Sequence, residues 1–110
     1  MQLNPLDPVN VSGAEAGLAA ANFFLHRYEI ALSWVTKSIS RDENNGVALR
    51  FAVAIYAMLG RVADVQTMRV RMREAGVALM TISQLERFLA FRREDVDLYL
   101  EAFRRAGVSE

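Results

Sequence analysis

The sequence contains no cysteine, only one lysine, one histidine and two prolines. Without cysteine the chain forms no disulfide and no thiolate metal site. The single histidine, His26, lies in a predicted turn, where we interpret it as a solvated residue rather than the base of a hydrolytic triad. Pro5 and Pro8 both precede the first long apolar pattern. No proline therefore interrupts a helix in the rest of the chain.

Long apolar runs and an excess of one charge are also missing. The most apolar stretch, Val47–Leu59, has 13 residues and includes Arg50, whereas a membrane span needs about 20. The N-terminus, MQLNPLDP, lacks the basic and apolar regions of a signal peptide, so we expect a cytoplasmic protein. Thirteen basic residues balance 13 acidic ones. We therefore expect this region to bind neither nucleic acid nor a membrane.

Two groups of charged residues could carry chemistry. Three arginines within residues 69–73 could contact phosphate, and three acids within residues 94–97 could bind a metal. We favour a solvated helix surface for the arginines and an acidic helix start for the acids, since both patterns are common on surface helices. The six glycines are scattered and form no phosphate-binding loop. We predict no catalytic residue, cofactor or metal.

Apolar residues recur at helical spacing and no segment alternates, so the sequence predicts an all-helical protein. Ser12–Glu15 and Thr81–Gln84 have the pattern of capping boxes, which begin helices. The helix predicted at Val47–Leu59 is apolar on nearly all sides, as expected for a helix between neighbours. The residues that share one face of the other helices are Ala14, Leu18, Ala21 and Leu25; Tyr28, Ala31, Leu32, Val35 and Ile39; Val62, Val65, Met68, Met72 and Ala75; Ile82, Leu85, Phe88 and Leu89; and Val96, Tyr99, Leu100, Phe103 and Ala106.

The chain repeats itself at an interval of 34 residues. LHRYEIAL at 25–32 returns in looser form as LGRVADVQ at 59–66. Turn residues at 42–46 and the glycines at 60, 76 and 107 divide the helices into three antiparallel hairpins. We predict one domain over residues 1–110, in which repeat 1 covers 12–45, repeat 2 covers 46–79 and a divergent capping hairpin covers 80–110.

This period and the residues within it resemble the tetratricopeptide repeat, a helix–turn–helix unit with the signature W-x2-L-G-x2-Y, A-x3-F, P. The matching residues are Leu18-Ala19, Ala31 and Val35 in the first repeat and Ala52-Val53, Tyr56 and Val65 in the second. Glu15 and Leu49 replace the first aromatic residue, and Glu43 and Val77 replace the closing proline. The resemblance implies that the hairpins stack as a short right-handed solenoid.

A second resemblance covers nearly the whole chain. LNPLDP, RYEIALSWVTKSI, LGR and FRREDVDLYLEAFRRAGVSE together resemble the C-terminal repeat region of certain large bacterial regulators. In those proteins the N-terminal part is an adenylate cyclase-like domain or a winged-helix DNA-binding domain. The resemblance implies that the chain is a piece of such a protein or a separate gene product derived from one. It brings no catalytic or DNA-contacting residue to this region.

In tetratricopeptide proteins the first helix of each hairpin lines a concave face that binds partners. The residues placed there by the resemblance are Gly13, Ala16, Ala20, Phe23 and Phe24 in the first repeat and Val47, Arg50, Ala54, Ala57 and Met58 in the second. The lysines and asparagines that clamp a terminal carboxylate in chaperone-binding members are absent from these positions. We therefore expect an apolar groove with Arg50 as its one charged anchor, unless a neighbouring repeat covers it.

The expected function is a non-catalytic protein–protein interaction or regulatory module with an unidentified protein or peptide partner. The alternative is a free-standing structural protein that forms homo-oligomers. The last helix carries charges opposite its apolar stripe, as a terminal repeat does, whereas the N-terminal hairpin has no comparable polar cap. We therefore expect self-association through the N-terminal hairpin.

Overall fold

A computed structural model describes residues 7–77 and 93–107 of the chain. This part is all-helical, as predicted, and contains no strand. Its helices are α1 (Pro8–Phe24), α2 (Tyr28–Arg41), α3 (Gly46–Met58), α4 (Val62–Glu74) and α5 (Arg93–Arg105). The helix predicted at Ile82–Leu89 and the capping box at Thr81–Gln84 lie outside the described residues.

The first helix begins earlier than its predicted capping box. Asp7 is the N-cap, and its carboxylate accepts a hydrogen bond of 2.9 Å from the amide of Val9. Pro8 occupies the first helical turn, where the missing amide hydrogen costs nothing. Ser12 and Glu15 lie inside the helix and are buried. The predicted start at Ser12 is therefore wrong, because Asp7 and Pro8 already provide one.

The 34-residue interval is visible in the backbone of the two hairpin turns. His26 and Gly60, which are 34 residues apart, both adopt positive φ, at 61° and 72°. The next residues, Arg27 and Arg61, donate backbone hydrogen bonds of 2.9 Å to Asn22 and Tyr56. Each turn thus ends one helix in the left-handed conformation and begins the next, as in a Schellman motif.

Helix α3 is the centre of the described structure. It packs against α1, α2, α4 and α5, while α1 and α2 also pack against each other as an antiparallel pair. Eight of its 13 residues are buried, including the continuous run Phe51–Ile55. The predicted burial of this helix on nearly all sides is confirmed.

The predicted stripe of α2 lies on the core side. Ala31, Val35 and Ile39 are buried, and Tyr28 and Leu32 are partly buried against the same core. In α5, the predicted residues Tyr99, Leu100, Phe103 and Ala106 are likewise buried. These helices follow the usual rule that an apolar stripe faces the core.

Helix α1 does not follow this rule. Its apolar stripe, Ala14, Leu18, Ala21 and Leu25, is exposed. The buried side instead contains Ser12, Glu15, Ala16, Ala19 and Phe23. The cause is a set of polar contacts between α1 and α2, because polar groups are buried at low cost when they are hydrogen-bonded.

Ser12 and Ser38 form the centre of these contacts. The Ser12 hydroxyl donates to the Ser38 carbonyl at 2.8 Å, and the Ser38 hydroxyl donates to the Ser12 carbonyl at 2.7 Å. The amide group of Asn45, the N-cap of α3, donates to the Ser12 hydroxyl at 3.1 Å. Nearby, Arg41 makes a 2.7 Å ion pair with the buried carboxylate of Glu15. These bonds fix which side of α1 faces the protein.

Candidate interaction surfaces

Aromatic rings from α1, α3 and α5 meet at the predicted concave face. The Tyr99 ring lies 5.8 Å from Phe23, 6.1 Å from Phe24 and 4.8 Å from Phe51, measured between centroids. Most of these pairs are edge-to-face or tilted, which is the favoured geometry for aromatic packing. Tyr99 of α5 thus packs against the predicted concave-face residues Phe23 and Phe24 of α1 and against Phe51 of α3.

The residues predicted to bind a partner are unequally accessible. Ala16, Phe23, Ala54 and Ala57 are buried, Ala20, Phe24, Arg50 and Met58 are half-buried, and Val47 and Gly13 are exposed. A buried residue cannot contact a partner unless the helix above it moves. The structure therefore brings these residues together on α1 and α3, but mostly as part of the core.

Burial of α5 also affects the chemistry of Tyr99. Desolvation raises the pKa of its phenol far above the usual value, and the nearby Arg50 guanidinium only partly opposes this effect. The C-terminal end of α5 is held by Arg69, which donates a 3.0 Å hydrogen bond to the carbonyl of Ala106, the residue after the helix. The described contacts thus hold the middle and the C-terminal end of the helix against the protein.

A different surface is open to a partner. We define the α1 outer face as Ala14, Gly17, Leu18, Ala21 and Leu25, all of which are exposed. Leu18 retains 44% and Leu25 59% of its accessible area. Glu15 is the only ionisable side chain in α1, and it is buried against Arg41. The α1 outer face therefore carries no charge, although an exposed helix face is normally rich in charged residues.

Glycines make this face flat as well as apolar. Gly13 and Gly17 lie inside α1, and a Cβ atom added to either would meet no other atom of the described structure within 4 Å. Glycine inside a helix is destabilising by roughly 0.5–1 kcal/mol relative to alanine. Neither glycine is needed for packing or for a left-handed backbone in the described residues. Their effect is to leave space above the helix.

Helix α2 adds only a small apolar area to the outward side of the hairpin. Ile30 is 49% exposed, and Trp34 is half-buried beneath Lys37, whose ammonium lies 4.7 Å from the ring centroid. Ile30 and Lys37 lie opposite the buried side of α2, as the α1 outer face lies opposite the buried side of α1. Glu29 and Ser33 are also exposed on α2, so the outward side of the first hairpin is apolar along α1 and mainly polar along α2.

A second opening lies between α2 and α4. It is a cleft of about 310 Å³ with Ala52 and Tyr56 of α3 among its lining residues. Val35, Ile39 and Met68 line its apolar part, and the side chains of Thr36, Ser40, Glu43 and Arg71 complete its lining. Glu43 and Arg71 also border a smaller, polar opening of about 220 Å³ together with Glu74. With both charge signs present, the cleft shows no preference for one kind of charged ligand.

The acidic residues of the described part of the chain do not gather into a metal site. Within 7–77 and 93–107, no three histidine, cysteine, aspartate or glutamate side chains are placed to hold a metal ion. Glu94 and Asp95 lie in the first turn of α5, where carboxylates interact favourably with the helix dipole. None of the described helices is long and apolar enough to cross a membrane.

Comparison with known proteins adds no relative: no family model, no curated protein and no solved structure matches the chain. The resemblance to tetratricopeptide proteins therefore rests on the residues and the 34-residue period.

Sequence reasoning found the residues of the α1 outer face but not their exposure. Ala14, Leu18, Ala21 and Leu25 have the spacing of a core stripe, and α1 has too few polar residues to mark its solvent side. One signal was present. The polar residues Ser12 and Glu15 have hydrogen-bonding counterparts at Ser38 and Arg41, each 26 residues later. This 26-residue spacing indicates the buried side of α1 only when α1 and α2 are already known to pack against each other.

Proposed function

We propose that the chain is a non-catalytic protein–protein interaction module that binds through the outward side of its first hairpin. The observation that carries this proposal is the exposed, uncharged α1 outer face. Contiguous apolar surface of this kind on a soluble domain usually marks an interaction site. The flat region around Gly17 favours a partner that approaches the backbone of α1 closely.

Burial of the predicted concave-face residues supports the proposal. Phe23 is buried against Tyr99 of α5, so the chain itself covers this residue. Val47, another residue of the predicted concave face, is 51% exposed. A partner that binds at the concave face, as the family resemblance implies, can contact Val47 in this conformation.

In this proposal the hairpins form a short tetratricopeptide-like right-handed solenoid at the C-terminal end of a larger bacterial signalling or transcription regulator, in the cytoplasm. The apolar α1 outer face supports it, since repeats within a solenoid cover each other's faces. The alternative is a free-standing homo-oligomer, which the same surface would also serve. An immunoblot of the source cells separates the two. A band far above 12.3 kDa favours the regulator, and a band at that mass favours the separate protein.

The interaction surface can be tested with two matched variants. Leu18 lies in the α1 outer face and Val70 on α4, and both side chains are 44% exposed. We expect Leu18→Arg to abolish capture of protein partners from source-cell extract, because it places a charge in an apolar contact. Val70→Arg should capture the same partners as the wild-type chain. If both variants lost partner capture equally, or if neither lost it, the result would contradict the proposed surface.

A further inference from the structure

We infer that the partner of the α1 outer face is a second copy of the chain, bound through the same face with the two α1 helices antiparallel. This inference rests on the proposed function and identifies its partner. It defines a two-fold dimer in which the outward side of one first hairpin packs against that of the other. The argument uses the residue register, the charge and the size of this surface.

The register of α1 is self-complementary. Ala14, Leu18, Ala21 and Leu25 are spaced by four, three and four residues, which is the spacing of a helix–helix seam. Consider a two-fold axis at the midpoint between Gly17 and Leu18. An antiparallel pair then places Ala14 of one copy opposite Ala21 of the other, and Asn10 opposite Leu25. Leu18 of each copy lies over Gly17 of its partner.

The pairing of Leu18 with Gly17 joins a large side chain to an open space. Apart from the adjacent residues and the backbone of α1 itself, no described atom lies within 4 Å of the Cβ position of Gly17, so the space above it can receive a leucine from a second helix. Small residues allow two helix backbones to approach closely, and large ones fill the gaps between them. Every copy carries both Leu18 and Gly17. In a two-fold arrangement, the Leu18 side chain of each copy therefore fills the space above Gly17 of the other copy.

Charge does not oppose this pairing. An isologous interface brings each surface residue near the same patch of the other copy, so a charged seam would repel itself. The α1 outer face has no ionisable side chain, and the carboxylate of Glu15 is paired with Arg41 on the inner side. The seam can therefore form without bringing like charges together along α1.

The size of the surface sets the expected strength. A 17-residue helix is about 25 Å long and about 10 Å wide, so the exposed strip of α1 covers roughly 250 Å². With the exposed side of α2, which is mainly polar and would form the rim of the interface, the contact covers roughly 500 Å² per copy, or roughly 1,000 Å² in the dimer. This lies at the lower limit for specific interfaces. We therefore expect a weak dimer, with a dissociation constant on the order of 100 µM.

Sedimentation velocity of the full chain, from about 10 µM to about 1 mM, tests the inference around this dissociation constant. The wild-type mass should rise from 12.3 kDa toward that of a dimer. Leu18→Arg should remain monomeric throughout, whereas Val70→Arg should follow the wild-type curve. Gly17→Leu should also remain monomeric, because it fills the space for Leu18, while circular dichroism shows that its helices are retained. A Leu18→Arg chain that fails to fold leaves Gly17→Leu to decide the result.

The absence of cysteine gives a test of orientation. Leu18→Cys and Leu25→Cys each introduce the only thiol of the chain. In the antiparallel pair the two positions 18 lie near the axis, whereas the two positions 25 are about 22 Å apart along the helices. A disulfide bridges Cα atoms no more than about 7 Å apart. Under mild oxidation Leu18→Cys should therefore form a covalent dimer at least tenfold faster than Leu25→Cys.

Three results would overturn the inference. They are a wild-type chain that stays monomeric at the highest concentration, equal weakening of the dimer by Leu18→Arg and Val70→Arg, and faster crosslinking at position 25 than at position 18. None of them decides the proposed function. If the wild-type chain is monomeric but captures a different protein that Leu18→Arg loses, the interaction module stands and only self-pairing fails.

Discussion

At the scale of single residues, the two hairpin turns have the same backbone conformation but different residues at the position of positive φ. His26 and Gly60 both adopt positive φ, a conformation that costs L-residues other than glycine roughly 1–2 kcal/mol. The sequence period predicted that the turns correspond. It did not show that His26 takes the strained conformation, because histidine, although enriched among non-glycine residues at positive φ, adopts negative φ far more often.

This difference predicts opposite effects of substitution at equivalent positions. Gly60→Ala should lower the free energy of unfolding by about 1 kcal/mol, because alanine is strained at φ 72°. His26→Gly should raise it, by at most about 1 kcal/mol, since loss of the stacking between His26 and Tyr28 offsets part of the gain. Urea unfolding of both variants measures the two changes. If both substitutions changed the free energy of unfolding in the same direction, the two turns would not be equivalent in their preference for glycine.

At the scale of helices, the buried side was predictable from the sequence only where the two sides of a helix differ clearly in polarity. Helix α2 has β-branched and large apolar residues on one side and polar residues on the other, so its buried face was predictable. Helix α1 consists mainly of small residues with serine and glutamate on the side that is buried. Its orientation depends on bonds to Ser38 and Arg41, and these partners are known only once the hairpin is formed.

The serine pair is therefore expected to determine how α1 packs. Ser12→Ala removes a hydroxyl that donates to the Ser38 carbonyl and accepts from Asn45. The Asn45 amide then loses this partner, and the Ser38 carbonyl keeps only the backbone N–H of Asp42. We therefore expect a loss of about 1–3 kcal/mol in the free energy of unfolding. Ser33→Ala, at an exposed position on the same hairpin, should change it by less than about 0.5 kcal/mol. Thermal or urea unfolding of the two variants compares them, and similar losses would mean that the buried bonds contribute nothing specific.

At the scale of the whole molecule, the central position of α3 was predictable and the position of α5 was not. The run of apolar residues on all sides of α3 requires neighbours on all sides. The amphipathic pattern of α5 also requires an apolar neighbour, but it does not say which one. Four of the ten residues assigned to a partner groove from the resemblance are buried in the core, and one of these four, Phe23, packs against Tyr99 of α5.

Docking of α5 should make the stability of the protein depend on alkaline pH through Tyr99. Burial raises the pKa of this phenol in the folded protein, whereas in the unfolded chain it ionises near pH 10. Below that pH both states keep the proton, and the contribution of Tyr99 is fully present. Above it the unfolded state releases a proton that the folded state retains, so unfolding becomes more favourable as pH rises.

Tyr99→Phe isolates this contribution, because it keeps the ring against Phe23 and Phe51 and removes only the ionisable group. Urea unfolding at several values between about pH 9 and pH 11 brackets the ionisation of the unfolded chain. We expect the wild-type free energy of unfolding to fall more steeply over this range than that of the variant. Other groups that titrate there act on both proteins equally. Parallel curves would mean that Tyr99 is in contact with solvent in the folded protein and that α5 does not bury it.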